Sequence, residues 1–244
     1  SVSYARIIKK KSKIKSGKFI GMDLGVKNPV TCVSNDPTIQ SVIYGAEVKM
    51  ANRQYFYALE KAKQKLPKTK TTSHKIRRIT EKRNRRVDTA VHADTRRIVE
   101  YCEKNDIEQV ICGKNIDWKQ NMNMGKKNNV RFQYIPYNLY QERLNYKLSD
   151  KGIGFVTQEE SYTSKCSFMD NEEMKSHEVY LGRRAKRGLF IDSKGNRINA
   201  DVNGALNIMR KRFCKKSEVK IFAKNRELYL QVIPEKMKNN EAVF

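Results

Sequence analysis

Apolar residues in the first fifth of the chain occur in short runs that are separated by turn-forming residues. The runs cover residues 18–24, 30–34 and 41–45, and Gly, Asn and Pro stand between them. Because those residues favour turns, the pattern predicts a meander of three strands. The first run is apolar on both faces apart from Asp23, which is typical of a central strand in a covered sheet.

Helical spacing follows the meander. Residues 47–64 are predicted to form one helix, and Ser73 is predicted to cap a second helix that continues to about residue 104. Four apolar positions of the second helix recur at helical spacing and should face the core. They are Val87, Val91, Ile98 and Cys102.

The rest of the chain alternates between strand-like and helix-like runs. The predicted elements are a strand at 107–112, a helix at 137–150, a strand at 153–158 and a helix from about 201 to 212. Residues 165–197 are expected to form an inserted loop with basic and helical character. A charged C-terminal tail, 213–244, is expected to hold one strand-like piece at 228–233. This order of elements is that of the ribonuclease H-like fold, an α/β class with a mixed sheet flanked by helices.

The composition indicates a polyanionic partner. The 244 residues include 51 Lys and Arg against 26 Asp and Glu, a formal net charge of +25 at pH 7. Nucleic acid is the commonest partner of so basic a chain; a ribosomal-type protein or a general effect on solubility is the alternative. No apolar stretch approaches the roughly 20 residues of a membrane span, and no signal peptide is expected. Five cysteines without a CxxC pair are typical of reduced thiols in the cytoplasm.

Basic residues are concentrated in two segments. Residues 61–86 hold twelve Lys and Arg and only one acid, Glu81. A charge run is often just a solvated helix face, but one so one-sided is interpreted as a ridge that binds nucleic-acid backbone. The candidate contacts in the ridge are Lys75, Arg77, Arg78, Lys82, Arg83, Arg85 and Arg86. Those in the inserted loop are Arg183, Arg184, Lys186 and Arg187.

Three acids stand in surroundings that suggest a shared role. An ionised Asp23 in an apolar strand costs free energy unless a positive charge compensates it. Glu160 and Asp201 come from distant segments of similar character. Three such acids need a cation, and a pair of divalent metal ions is the natural candidate. The alternatives are a turn residue beside Gly25 for Asp23, and a simple helix cap for Asp201.

Three ordered motifs resemble a known family. Residues 21–28 (GMDLGVKN) resemble the first RuvC motif of the transposon-encoded TnpB (OrfB-type) proteins, relatives of the type V CRISPR effector nucleases. Residues 160–167 (ESYTSKCS) are similar to the Thr-Ser segment of that family, and residues 199–208 (NADVNGALNI) to its closing motif. One such motif would be a weak match, whereas the ordered set of three is specific.

The resemblance implies an RNA-guided DNA endonuclease. Residues 18–212 would form its RuvC-like nuclease domain, including the basic helices at 47–104. Two Mg²⁺ ions, with Mn²⁺ as a substitute, would be held by Asp23, Glu160 and Asp201, with Asp23 bridging them. Guide RNA and target DNA would be the partners, in a prokaryotic cell and close to the nucleoid. Residues 1–17 would end a preceding WED-like segment or linker, and the RNA-gripping lobes would belong to a missing N-terminal region or a second chain.

Two departures from the family pattern matter. In many relatives an acid follows the fourth strand, but here Gly113 stands there, so Glu160 is expected to supply the middle ligand, with Glu159 in reserve. The relatives' zinc ribbon is reduced to Cys166, which with His177 falls short of four ligands, so no zinc is expected. Two other functions stay open: a nuclease-inactive RNA-guided DNA-binding repressor, and a strand-transfer or Holliday-junction enzyme.

Overall fold

A computed structural model describes residues 16–114, 134–186, 188–213, 222 and 226–237. The strands are β1 (Phe19–Asp23), β2 (Val30–Ser34), β3 (Val42–Tyr44), β4 (Gln109–Lys114), β5 (Gly154–Glu159), β6 (Arg183–Lys186), β7 (Leu189–Ile191), β8 (Arg197–Asn199) and β9 (Glu235–Lys236). The helices are α1 (Ala46–Gln64), α2 (His74–Lys104), α3 (Tyr137–Asp150) and α4 (Ala200–Phe213), with a 3₁₀ helix at Arg226–Gln231.

The main sheet has six strands in the order β5-β4-β1-β2-β3-β9. Strands β5, β4 and β1 run parallel, β1, β2 and β3 form the antiparallel meander, and β9 joins β3 in parallel. The first strand is therefore central, as its apolar run predicts. A mixed sheet flanked by helices is confirmed.

Helices cover both faces of the sheet because alternate strand residues point to opposite sides. Met22 and Cys112 belong to a first core with the buried faces of α1, α2 and α3. Ile111 belongs to a second core with α4 and the sheet β6-β7-β8. Asp23 lies on the α4 side, where its carboxylate approaches Gly204.

The long helix α2 begins and packs as its sequence predicts. The Ser73 hydroxyl accepts a hydrogen bond from the Ile76 N–H at 3.2 Å, which satisfies one of the free amides of the first turn. Val87, Val91 and Ile98 are buried in the first core. The predicted amphipathic face of α2 is confirmed.

The inserted segment differs from its prediction. Within 165–197 the structure contains the antiparallel sheet β6-β7-β8 and no helix among the residues described there, so the predicted helical character is wrong. Phe190 and Ile198 are buried against Phe168, and this contact holds the short strands on the second core. The segment is too short and basic for its strands to be evident without that distant core.

The predicted strand at 228–233 is also wrong. The segment forms a 3₁₀ helix because Tyr229 is fully buried and its hydroxyl donates to the Asn35 carbonyl. The alternating apolar residues suggested a strand, but burial of this one ring decides the conformation. Strand β9 follows and completes the sheet edge at β3. No helix in the described ranges is long and apolar enough to cross a membrane.

Candidate active site

Strand β1 runs directly against helix α4. A Cβ added to Gly21 would lie 2.1 Å from the Ala205 carbonyl oxygen, so only glycine permits this approach. Asp23 lies two residues further along the same face, and a Cβ added to Gly204 would be 3.1 Å from the Asp23 Oδ2. The close approach brings Asp23 to the first turn of α4, which carries Asp201.

Asp201 is held by two polar neighbours. Its Oδ2 accepts a hydrogen bond from the Asn28 Nδ2 at 2.6 Å, and its Oδ1 lies 3.7 Å from the Arg184 Nη2. Asp201 does not cap the helix, because the Asn199 Oδ1 accepts from the N–H groups of Asp201 and Val202 at 2.9 and 3.3 Å. The Asp201 carboxylate is therefore available for another role.

Glu160 occupies the place that a side chain at residue 113 would fill. A Cβ on Gly113 would lie 2.3 Å from the Glu160 Oε2. Glu160 directly follows β5, which is paired in parallel with β4 so that Gly113 lies opposite Gln158. The carboxylate of Glu159 is engaged elsewhere, with its Oε2 2.5 Å from the Lys211 Nζ. Of the two candidates for the middle acid, Glu160 is the one whose carboxylate lies beside Gly113, although Glu159 is paired with Lys114 in the sheet.

Two of the three acids have a raised pKa. Burial, and then the charge of Asp201, raise the pKa of Asp23 to about 7, while Arg184 opposes the rise. Burial, and then the charge of Asp23, raise the pKa of Glu160 to about 8, with Lys211 opposing. Carboxyl groups with pKa values this high lack sufficient positive charge around them. The cluster thus has the electrostatics of a site that gains from a bound cation.

The carboxylate oxygens of Asp23, Glu160 and Asp201 are the type of ligand that a hard divalent cation such as Mg²⁺ prefers. In the part of the chain that the structure describes, however, no three or more His, Cys, Asp and Glu side chains lie close enough to hold one ion together. In this structure the Asp201 carboxylate contacts Asn28 and Arg184.

The inserted segment is tied together by a carboxylate. The buried Glu172 accepts hydrogen bonds from the N–H groups of Ser167 at 2.7 Å and Leu181 at 2.8 Å, which joins two separate turns. Cys166 is buried, and its Sγ lies 3.4 Å from the Glu173 carbonyl oxygen. The expectation that no zinc binds here stays a prediction.

The basic side chains in the N-terminal half of α2 lie on more than one side of the helix. A groove of about 590 Å³ runs along its N-terminal half, lined by His74, Lys75, Arg78, Ile79, Glu81, Lys82 and Arg85. Arg77 is exposed on another side of the helix. Among the described residues, no carboxylate forms an ion pair with the Lys and Arg side chains at positions 75–85. These side chains can therefore bind an anionic partner without first breaking an ion pair with a carboxylate of the same chain.

Two arginines of the ridge contact neighbouring segments of the chain. The Arg83 Nε donates to the Asn52 Oδ1 at 2.8 Å, its Nη2 donates to the Tyr134 carbonyl at 2.7 Å, and its guanidinium lies over the Tyr134 ring. The Arg86 Nη1 donates to the Gln54 Oε1 at 2.5 Å. Both side chains join α2 to neighbouring segments, Arg83 from a half-buried position and Arg86 from an exposed one.

The second basic group lies at the edge of the acid cluster. Arg183, Arg184 and Lys186 are exposed on β6, and Arg184 reaches Asp201. Arg187 lies outside the described residues. Sequence reasoning missed Asn28 and Lys211; Asn28 stood within the first motif, whereas nothing in the sequence marked Lys211.

Fold and site together define an α/β protein in which Asp23, on a central strand, interacts electrostatically with Asp201 and Glu160 from two separate segments. Residues 2–119 match the family model OrfB_IS605, described as a probable transposase, and residues 137–208 match the TNB domain model of Cas12f1-like proteins. Two parts of the chain are therefore similar to OrfB-type (TnpB) transposon proteins and to Cas12f1-like proteins, as its motifs predict. No curated protein matches it significantly.

Solved structures share the fold. A Cas12f1–sgRNA–target DNA complex is 22% identical, with a TM-score of 0.58, and the alignment covers 82% of this chain and 40% of that one. A CRISPR–Cas12f ternary complex is 20% identical, also with a TM-score of 0.58, and the alignment covers 85% and 41% of the two chains. The chain thus spans about two-fifths of the length of these proteins.

Proposed function

We propose that this chain carries the nuclease centre of an RNA-guided DNA endonuclease, with Asp23, Glu160 and Asp201 as its metal ligands. The observation that carries the proposal is the electrostatic interaction of three acids from β1, the end of β5 and the start of α4. Burial and the charge of Asp201 raise the pKa of Asp23, and burial and the charge of Asp23 raise the pKa of Glu160. Isolated structural acids would be expected to have hydrogen-bonding or cationic partners that lower their pKa instead.

The sheet supports assignment to the ribonuclease H-like (RuvC) class. Its order β5-β4-β1-β2-β3, with an antiparallel meander and two further parallel strands, is the order expected for that class. The first acid lies on the central strand, and the others come from the ends of neighbouring elements. The likeness in fold to Cas12f1 agrees with this assignment.

The chemistry proposed is hydrolysis of a DNA phosphodiester. Bound Mg²⁺ would supply an activated water and stabilise the leaving oxygen. The protein side chains would hold the ions through Asp23, Glu160 and Asp201, and Asn28 would orient the Asp201 carboxylate. Arg184, beside Asp201 and half-exposed, would draw a backbone phosphate of the target strand towards the acids.

Guide RNA and target DNA are the proposed partners. The open groove with Lys75, Arg78, Lys82 and Arg85 would bind phosphates, and the β6 cations would guide the strand to the acids. One of the two solved structures is a complex of Cas12f1 with sgRNA and target DNA, and in both structures the protein is more than twice as long as the matched region. A further N-terminal region or a second chain would supply the remaining RNA contacts.

An inactive, DNA-binding repressor is the second candidate, and Gly113 is the observation that favours it, because many relatives have an acid there. The position of the Glu160 carboxylate beside Gly113 weighs against it, since the missing acid has a replacement. A chain that had lost cleavage would not be expected to keep all three acids in one cluster.

A cleavage assay distinguishes the two candidates. The chain, purified with its co-expressed RNA, is given target DNA and Mg²⁺, alongside Asp23→Asn, Glu160→Gln and, as a control for loss of a distant carboxylate, Asp36→Asn. We expect cutting by the wild type and the control only. Target binding without cutting by the wild type would support the repressor. Equal cutting by Glu160→Gln would transfer the ligand role to Glu159.

A further inference from the structure

Three polar side chains of α4 form a stripe at four-residue spacing. They are Asn203, Asn207 and Lys211, and they lie on one face of the helix. Each donates hydrogen bonds to the segment 159–168, which contains Glu160. The stripe begins two residues after Asp201, so the helix that carries one acid also contacts the segment that carries another.

The two asparagines bind the C-terminal part of that segment, residues 163–168. The Asn207 Nδ2 donates to the carbonyl groups of Thr163 at 2.9 Å and Cys166 at 2.7 Å. Asn203 donates to the Cys166 carbonyl at 3.0 Å and accepts from the Phe168 N–H at 3.0 Å. Both asparagines are fully buried, so these bonds are made without competition from water.

Lys211 binds the N-terminal part of the segment, residues 159–161. Its Nζ donates to the Ser161 carbonyl at 3.0 Å and lies 2.5 Å from the Glu159 Oε2. The Glu159 Oε1 in turn accepts from the Ser161 N–H at 2.5 Å. The residues on both sides of Glu160 are thereby joined to the last turns of α4.

The turn itself needs such support. Tyr162 has a φ of 67°, a left-handed conformation that is unfavourable for a bulky residue. The Thr163 hydroxyl and N–H both donate to the Glu160 carbonyl, at 2.8 and 3.2 Å, and close the turn. A strained turn persists only where its surroundings determine it, and here α4 provides most of the contacts.

We propose that Lys211, acting with Asn207, is a positioning residue for the middle metal ligand. Lys211 contacts neither metal nor substrate; it fixes the Glu159–Ser161 backbone so that Glu160 faces the acid cluster. One rigid helix then sets the positions of two of the three acids relative to each other. The inference rests on the proposed nuclease function for its catalytic meaning, but the positioning itself is measurable without it.

The test compares Lys211→Met with Arg212→Met, which removes a charge from the next, exposed position of the same helix. Lys211→Arg serves as the conservative variant. Hydrogen exchange of the 159–166 amides is measured on the full chain with its RNA, and Mn²⁺ binding is measured by titration calorimetry. Thermal unfolding of each variant shows that it is folded.

We expect faster exchange across 159–166 and about 10-fold weaker Mn²⁺ binding in Lys211→Met, as is usual for loss of a group that orients a metal ligand. Arg212→Met should match the wild type, and Lys211→Arg should recover most of the affinity. Exchange and affinity equal to those of Arg212→Met would overturn the proposal, and so would faster exchange with unchanged affinity. A wild type that binds no Mn²⁺ and cuts no DNA would refute the proposed function, while the exchange data would still decide whether Lys211 orders the segment.

Discussion

The Glu160 carboxylate lies where the side chain of residue 113 would begin: an ideal Cβ on Gly113 would be 2.3 Å from the Glu160 Oε2. The same Cβ would lie 2.8 Å from the Ile208 Cδ1. The glycine after the core of β4 therefore makes the space that the middle acid uses. The absence of an acid at residue 113 and the presence of Glu160 therefore belong together, because the glycine leaves room for the Glu160 carboxylate.

Gly113→Ala should reduce DNA cleavage by about 100-fold, because a displacement of a reacting group by about 1 Å has that effect. Overpacking should also lower the free energy of unfolding by about 1–3 kcal/mol. Cleavage kinetics and denaturant unfolding measure the two effects. Gly154→Ala is the control, since its new Cβ would meet only the flexible Gln109 side chain. Full activity in Gly113→Ala would mean that Glu160 does not act from this position.

The metal-free protein should lose stability as the pH rises from about 4 to about 8. Asp23 and Glu160 have folded-state pKa values of about 7 and 8, above their ordinary values of 3.8 and 4.5, so the folded state holds more protons across this range. Thermal midpoints measured in a chelator should therefore fall with pH. Asp23→Asn should flatten that slope, whereas Asp36→Asn should leave it unchanged.

Mg²⁺ should reverse that loss. At pH 8 the Asp23 carboxyl is mostly ionised and the Glu160 carboxyl is about half ionised. A bound cation would compensate their charge and stabilise the folded state by mass action. The thermal midpoint at pH 8 should rise with Mg²⁺ concentration in the wild type. The rise should disappear in Glu160→Gln; an equal rise in that variant would place the ion elsewhere.

Lys82 and Arg83 are neighbours on α2 that should behave differently. Lys82→Gln should keep the wild-type stability but weaken nucleic-acid binding and reduce its salt dependence by about one phosphate contact. Arg83→Gln should lower the free energy of unfolding by about 1.5–3 kcal/mol, since hydrogen bonds from a charged group to Asn52 and Tyr134 are lost. Denaturant unfolding and binding at several salt concentrations distinguish them. Equal effects of both variants would contradict the separate roles.

Arg184→Met should slow cleavage on the order of 10-fold, in line with loss of a group beside a metal ligand. Arg183→Met, which removes the same charge one residue earlier on β6, should have a much smaller effect because the Asp201 contact is made by Arg184. Single-turnover cleavage at saturating target DNA measures the difference. A similar loss in both variants would indicate that β6 contributes only general positive charge.

Local signals in the sequence predict those strands and helices whose own apolar spacing shows which face is buried. The three-stranded meander and the Ser73-capped helix α2 follow from apolar spacing and capping chemistry, and the ordered motifs indicate the family. The sheet β6-β7-β8 and the 3₁₀ helix at Arg226–Gln231 do not, because each depends on burial of a few rings against a distant core.

The sequence by itself indicated the α/β class of the chain and singled out Asp23 and Asp201 as candidate acids, because each stands in a motif with its own local structure. Only the tertiary structure distinguished the surroundings of Glu159 and Glu160: the Glu160 carboxylate lies beside Gly113 and that of Glu159 beside Lys211, each about 50 residues away along the chain. It also assigned the helix cap to Asn199. Which way a side chain faces is set by contacts between segments, and those contacts exist only once the chain has folded.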